Sequence, residues 1–233
     1  MHEIINTISF MMFFGVALTL CAYGVGKFIK NKINFALFNP ILVAIILIIV
    51  VLKITGISYE VYKSGTTVIS YLLTPATVCL AVPLYEKLTL LKKNIWAIAG
   101  GIISGIVASA VTVWGVSVMF TLDKTIFATL LPKSITTAIG MVVSEQQGGI
   151  VNITVASIII TGIFGNVVAD VIYRLFKIDE PIAKGVALGT SAHVMGTAKA
   201  LEMGETEGAM SGLAVAVAGI MTVFVVPLVI GLY

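Results

Sequence analysis

From Ile95 to Phe120, and again from Ala209 to Gly231, the chain carries no charged side chain. A hydrocarbon core about 30 Å thick is crossed by roughly 20 apolar residues in a helix. Within it, only helices and closed barrels satisfy every backbone N–H and C=O. Runs of this length therefore read as transmembrane helices and frame everything else. Comparable stretches run from Asn6 to Gly26, Pro40 to Leu52, Gly65 to Tyr85 and Ile150 to Phe176. The chain has 59% hydrophobic and 11% charged residues, against roughly 25% charged in a soluble domain, so no soluble domain of useful size fits. The expectation is an all-α integral membrane protein with about 6–8 membrane segments. Met1-His2-Glu3 offers no basic n-region before a long first apolar run, which argues against a cleaved signal peptide.

Two further stretches, Thr125–Gln147 and Ala183–Gly204, carry polar residues and a Pro or Gly interruption at their centres. They are either spans or re-entrant, broken helices that leave by the face they entered. Charge placement separates the two cases. With the N-terminus outside and both stretches re-entrant, nine basic residues face the cytoplasm: Lys27, Lys30, Lys32, Lys87, Lys92, Lys93, Arg174, Lys177 and Lys184. Only Lys53, Lys63 and Lys124 face out. If Thr125–Gln147 crosses, the count becomes six against six. The positive-inside tendency favours re-entry, in a multi-pass protein of the cell membrane.

Internal similarity adds to this. Thr136-Thr137-Ala138, Glu145 and Gly148-Gly149 match Gly196-Thr197-Ala198, Glu205 and Gly208-Ala209 at a constant offset of 60. Entered from opposite faces, the two units form an inverted repeat, a construction common in secondary transporters. The chain is expected to be one domain over 1–233, with helices of a scaffold in 1–123 and the repeat that binds substrate in 124–233.

The polar interruptions carry the chemistry. In Leu131-Pro132-Lys133-Ser134, the proline removes a backbone donor and interrupts a helix, and an amine in hydrocarbon costs several kcal/mol. A helix restarting after the break, with Ser134 as N-cap, aims free N–H groups at whatever fills it. With Lys133, Thr136 and Thr137, these groups suit a small carboxylate. The plainer reading is a snorkelling lysine with hydroxyls bonded back to the preceding turn. Gly189-Thr190-Ser191-Ala192-His193 and Gly196-Thr197-Ala198-Lys199 repeat the ingredients, so Thr190, Ser191, Thr197 and Lys199 are candidates for the same ligand. Gly189, Gly196, Pro132 and Pro75 are candidate breaks, and Thr74 and Thr77 flank the last. His193 titrates near neutrality and is a candidate for proton coupling, or else a histidine held by a backbone carbonyl. Glu145 and Glu205 join it as coupling candidates, or cap helices and pair with Lys199 or Lys133. Asp170 is an intramembrane carboxylate, by default a functional hypothesis. Cys21 and Cys79 read as small buried hydrophobes. With no phosphate-cradling loop, nucleophile elbow or metal-ligand cluster, the chain is not expected to be an enzyme or to bind a cofactor, metal or nucleic acid.

Three of these runs, Tyr71–Tyr85 around Thr74-Pro75-Ala76-Thr77, Pro132-Lys133-Ser134, and Gly196–Glu205, resemble the LrgB/CidB family in the same order. Ala138-Ile139-Gly140 departs from the Pro-Ile-Ala that relatives usually carry. The resemblance covers essentially the whole chain and implies two functions. One is transport of small monocarboxylates of the pyruvate, lactate or glycolate kind. The other is antiholin-like regulation of murein hydrolases and cell lysis. It also implies a small LrgA/CidA-type membrane partner. A homodimer is expected from the smallness of the scaffold.

Overall fold

The computed structural model describes residues 2–33, 40–72, 75, 78, 79 and 81–233. Thr74 and Thr77 lie outside the described residues. The described chain is all-α. Four helices among the described residues are long and apolar enough to cross a membrane: Phe13–Lys32, Ile95–Met119, Val151–Leu175 and Glu205–Gly231. Contacts divide it into two compact units, 1–79 and 80–233.

The first unit contains α1 (His2–Lys32), α2 (Pro40–Thr55), α3 (Tyr59–Gly65) and α4 (Thr67–Tyr71). The hydroxyls of Thr19 and Tyr62 meet at 2.8 Å and tie α1 to α3. The apolar run from Gly65 to Tyr85 is not one helix: α3 ends at Gly65, α4 ends at Tyr71, and α5 covers Ala81–Glu86. Thr66 and Thr67 explain the first interruption. Their hydroxyls donate to the carbonyls of Tyr62, Lys63 and Ser64, an alternative to the helical ladder that bends or ends a helix. Cys21 and Cys79 are exposed and free rather than buried.

The second unit continues with α6 (Leu88–Lys93), α7 (Ile95–Met119), α8 (Lys124–Leu130), α9 (Thr137–Gln146), α10 (Val151–Leu175), α11 (Pro181–Met203) and α12 (Glu205–Gly231). α7 and α12 run parallel. Ile98, Ile102 and Ile106 pack on Ala209, Met210, Ala214 and Ala218 near their starts. Near their ends, Val113 packs with Val226 and Ile230. Beyond α12, the Tyr233 hydroxyl donates to the Leu122 carbonyl at 2.6 Å.

α8 begins where α7 ends, its first turn capped by Asp123, which accepts from the Ile126 amide at 2.7 Å. After a turn at 131–136 the chain comes back as α9. Gly140 lies against Ile158 of α10, and Ser144, one turn later, bonds Thr154. The partner number falls as the chain advances, so α9 and α10 are antiparallel and α10 starts at the end where α8 started. Residues 124–150 thus form a re-entrant hairpin.

The second hairpin lies within α11. Its first limb runs parallel to α12, with Gly185 against Glu207 and Met210, and Gly189 against Ser211 and Ala214. Gly189 backs directly onto the Ser211 backbone, so there is no room for a Cβ. At His193 the backbone turns to φ 45, ψ −137. Beyond it, the Asn166 side-chain amide donates to the Met195 carbonyl at 3.0 Å, and Lys199 reaches Asp170 further along α10. Ala200 packs in one cluster with Leu188, Ala169 and Tyr173. The partner number on α10 now rises, so the second limb returns to the end where α11 began, and α12 starts there. The two hairpins therefore enter the unit from opposite ends. The offset of 60 does not survive in register, because Glu145 lies in the last turn of α9 whereas Glu205 opens α12.

Candidate functional site

A cavity of about 880 Å³ lies between α7, α10, the first limb of α11 and the tip of the first hairpin. Small residues make it possible. Gly101, Ser104, Gly105, Ala108, Ser109 and Thr112 give α7 a low-relief wall, and Thr161, Phe164 and Gly165 line it from α10. Asn94, Tyr173 and Glu180 line it at the end where α7 and α11 start. That end gathers basic residues, Lys87, Lys92 and Lys93 before α7 and Arg174, Lys177 and Lys184 around the turn from α10 to α11, together with the acidic Glu86, Asp179, Glu180, Glu202, Glu205 and Glu207. Toward the other end, Phe127, Ala128, Leu131, Val143 and Val226 fill the interior, and the Phe127 ring stacks on Tyr233 at 4.2 Å.

Lys133 and Ser134 bring the first hairpin's tip to the cavity wall. Pro132 is fully buried, and the turn is closed by short-range bonds from the Lys133 amide to the Leu130 carbonyl and from the Ile135 amide to the Pro132 carbonyl. These consume residues before the helix restarts. The expectation of Ser134 as N-cap is corrected accordingly: Thr136 occupies the N-cap of α9. The Ser134 hydroxyl instead lies 3.0 Å from that of Ser109 and accepts from the Lys133 ammonium at 3.3 Å. Among the described residues Lys133 makes no ion pair. The result is an ammonium with two hydroxyls on an otherwise apolar wall, a set of donors and one full positive charge at partly buried depth.

The other candidate residues divide. Thr190 and Ser191 line the cavity, their hydroxyls donating to the carbonyls of Val186 and Ala187 at 2.8 and 2.6 Å. Thr190 and Ser134 also line a smaller cavity together, so the hairpins approach each other near their tips. Thr136 and Thr137 sit at the start of α9, off the cavity wall. Thr197 is buried and meets Ser211 of α12 at 2.9 Å. Lys199 pairs with Asp170 at 2.7 Å and Glu202 at 3.9 Å, not with Glu145 or Glu205. Glu145 is exposed at the end of α9, and Glu205 lies 3.5 Å from Lys87. His193 is buried and its Nε2 donates to the Ile158 carbonyl at 3.0 Å, which fixes the proton on that nitrogen because a carbonyl only accepts. Gly196 packs against the first limb at Leu188 and Ala192. Pro75 is exposed.

Ser109 was not legible as a site residue, since it sits in an uncharged helix where a serine beside small residues reads as packing. Asn166 was missed because its partner, the Met195 carbonyl, lies on another element. The buried set Thr129, Ser144 and Thr154 was missed as well, although the hydroxyls in Thr125–Gln147 were its one visible sign.

The model of the LrgB-like family matches residues 19–232. Proteins named antiholin-like protein LrgB from Bacillus mycoides (strain KBAB4) and Bacillus cereus (strain B4264) are each 40% identical over 217 residues, 93% of this chain and 94% of the relative. No solved structure matches. With the family model and its relatives both matched along nearly the whole chain, this protein belongs to the LrgB-like family.

Proposed function

We propose that this chain acts in the cell membrane as an antiholin-like protein, restraining murein hydrolase activity and cell lysis. The observation that carries this reading is 40% identity over 93% of the chain to proteins of that name. Removing the gene from its host and following autolysis and hydrolase activity in zymograms tests it. Faster lysis, restored by the wild-type gene, supports the role. Lysis unchanged by removal and by overexpression contradicts it. In this reading the end where α7 and α11 start, with its lysines and arginine, faces the cytoplasm and the N-terminus faces out. A second copy of the chain and a small LrgA/CidA-type membrane protein are its proposed partners.

A second reading is favoured by one observation, the partly buried Lys133 with Ser134 and Ser109 on the cavity wall and, among the described residues, no carboxylate paired with it. A buried ammonium without a counter-charge is costly, and an anion in the cavity offsets that cost. In this reading the protein carries a small monocarboxylate such as pyruvate, lactate or glycolate. Lys133 binds the carboxylate, and Ser134, Ser109, Thr190 and Ser191 meet its oxo or hydroxyl oxygen. The two hairpins then expose the site to each face in turn. Uptake of labelled pyruvate, lactate and glycolate into proteoliposomes tests it. Saturable uptake that falls on the order of 100-fold in Lys133→Ala, the loss of one charge-assisted contact, supports carriage. Leakage of dyes by size, indifferent to Lys133→Ala, contradicts it and leaves a pore. The two readings are compatible, since altered carboxylate flux can change lysis indirectly.

A further inference from the structure

Four residues one helical turn apart on α10 (Ile158, Gly162, Asn166 and Asp170) form a rail that receives the second hairpin. The Ile158 carbonyl accepts from His193. Gly162 leaves room for the imidazole, since a Cβ there would come within 2.7 Å of the ring. Asn166 donates to the Met195 carbonyl beyond the break, and Asp170 holds Lys199. The last contact differs in kind from the others. Lys199 is 14% exposed while the Asp170 carboxylate is 53% exposed, so one side of the pair lies open at the protein surface. The limb it holds starts from a residue with φ 45, a sparsely populated conformation that surrounding contacts must impose.

We propose that the Asp170–Lys199 pair is a latch. Closed, it sets the returning limb, residues 195–203, along α10; open, it lets the limb lift and admits water to the faces of Ala200 and the break. Asp170 acts through Lys199 and is a positioning residue. Glu202, 3.9 Å from Lys199, faces the same ammonium and receives it when the pair with Asp170 opens. The motion swings about the strained residue His193, as hinges commonly do at element termini. The proposal stands on the fold alone, whichever solute or partner the protein serves.

The test uses the full chain in membranes, with Cys21→Ser, Cys79→Ser and Ala200→Cys. Ala200 is completely buried against α10 in the closed state. The rate of labelling by a membrane-impermeant maleimide, added to both faces in separate vesicle preparations, reports how often the limb lifts. Asp170→Asn is expected to raise that rate about tenfold, between the effect of losing an exposed ion pair and that of losing a buried one. Asp170→Glu, which keeps a carboxylate within reach, should label slowly. The exchange Asp170→Lys with Lys199→Asp should restore the slow rate. If Asp170→Asn does not accumulate, Lys199→Gln breaks the same pair and serves in its place. Unchanged labelling in the pair-breaking variant overturns the proposal, even with a lower melting temperature, because the pair is then a brace. Fast labelling in the exchanged variant overturns it too.

Discussion

The two hairpins do the same topological job with different materials. The first is held by neutral hydroxyls sealed from solvent. Thr129, Ser144 and Thr154 are each 0% exposed, and Ser144 meets Thr154 at 2.6 Å. Thr154 donates to the Thr129 carbonyl, and the Thr129 hydroxyl accepts the Ile150 amide. Its tip turns at a proline within ordinary backbone angles. The second turns at a non-glycine residue with positive φ and is pinned by an imidazole, an amide and a half-exposed ion pair. A sealed network of satisfied hydroxyls is costly to open, because each lost partner strands another buried group. A strained turn with a half-exposed ion pair has less to lose. The first hairpin is thus built to present Lys133 in one place, and the second is built with an alternative available.

The largest effect should come where the second hairpin is tightest. Gly189→Val places a side chain against the Ser211 backbone, which cannot yield as a flexible side chain would. Overpacking costs typically about 1–3 kcal/mol and more against backbone, so the variant should be nearly absent from solubilised, monodisperse protein. Next is Thr154→Val, nearly isosteric, which strands the Thr129 carbonyl and the Ser144 hydroxyl. A loss of about 1–3 kcal/mol should appear as a lower thermal midpoint in detergent. At the other tip the effects should nearly cancel. His193→Gly removes a hydrogen bond of about 1 kcal/mol but relieves strain of order 1–3 kcal/mol, so its midpoint should match wild type or exceed it. His193→Ala keeps the strain and should melt below both. If His193→Gly melts as low as Thr154→Val, the contrast between the hairpins fails. Smallest is Glu145→Gln, exposed and outside both pinning networks, with an expected change within about 0.5 kcal/mol.

The spans were readable because hydrocarbon tolerates so little, and the first break was readable because a proline and a lysine share two positions. What pairs with what was harder to see. Lys199 and Asp170 are each anomalous in an apolar chain, yet 29 positions separate them. Their contact exists only because the second limb doubles back, a reversal made at His193 without proline or glycine. Helix propensity gives no warning of such a turn, since the contacts that impose it come from α10. Ser109 was hidden by context: one hydroxyl on an unbroken helix takes its meaning from Ser134, which approaches from another element. The break after Gly65 was equally hidden, because threonines bonding back to their own turn look no different in a sequence from threonines that do not.

The central claim is that the hairpins enter from opposite ends, and it can be tested by sidedness. In a background lacking Cys21 and Cys79, Gln147→Cys and Glu205→Cys mark the base of each hairpin. An impermeant maleimide applied to intact cells should label Gln147→Cys directly and Glu205→Cys only after permeabilisation, with the end where α7 and α11 start, and its lysines and arginine, inside. Labelling of both positions from the same face would contradict the opposed hairpins.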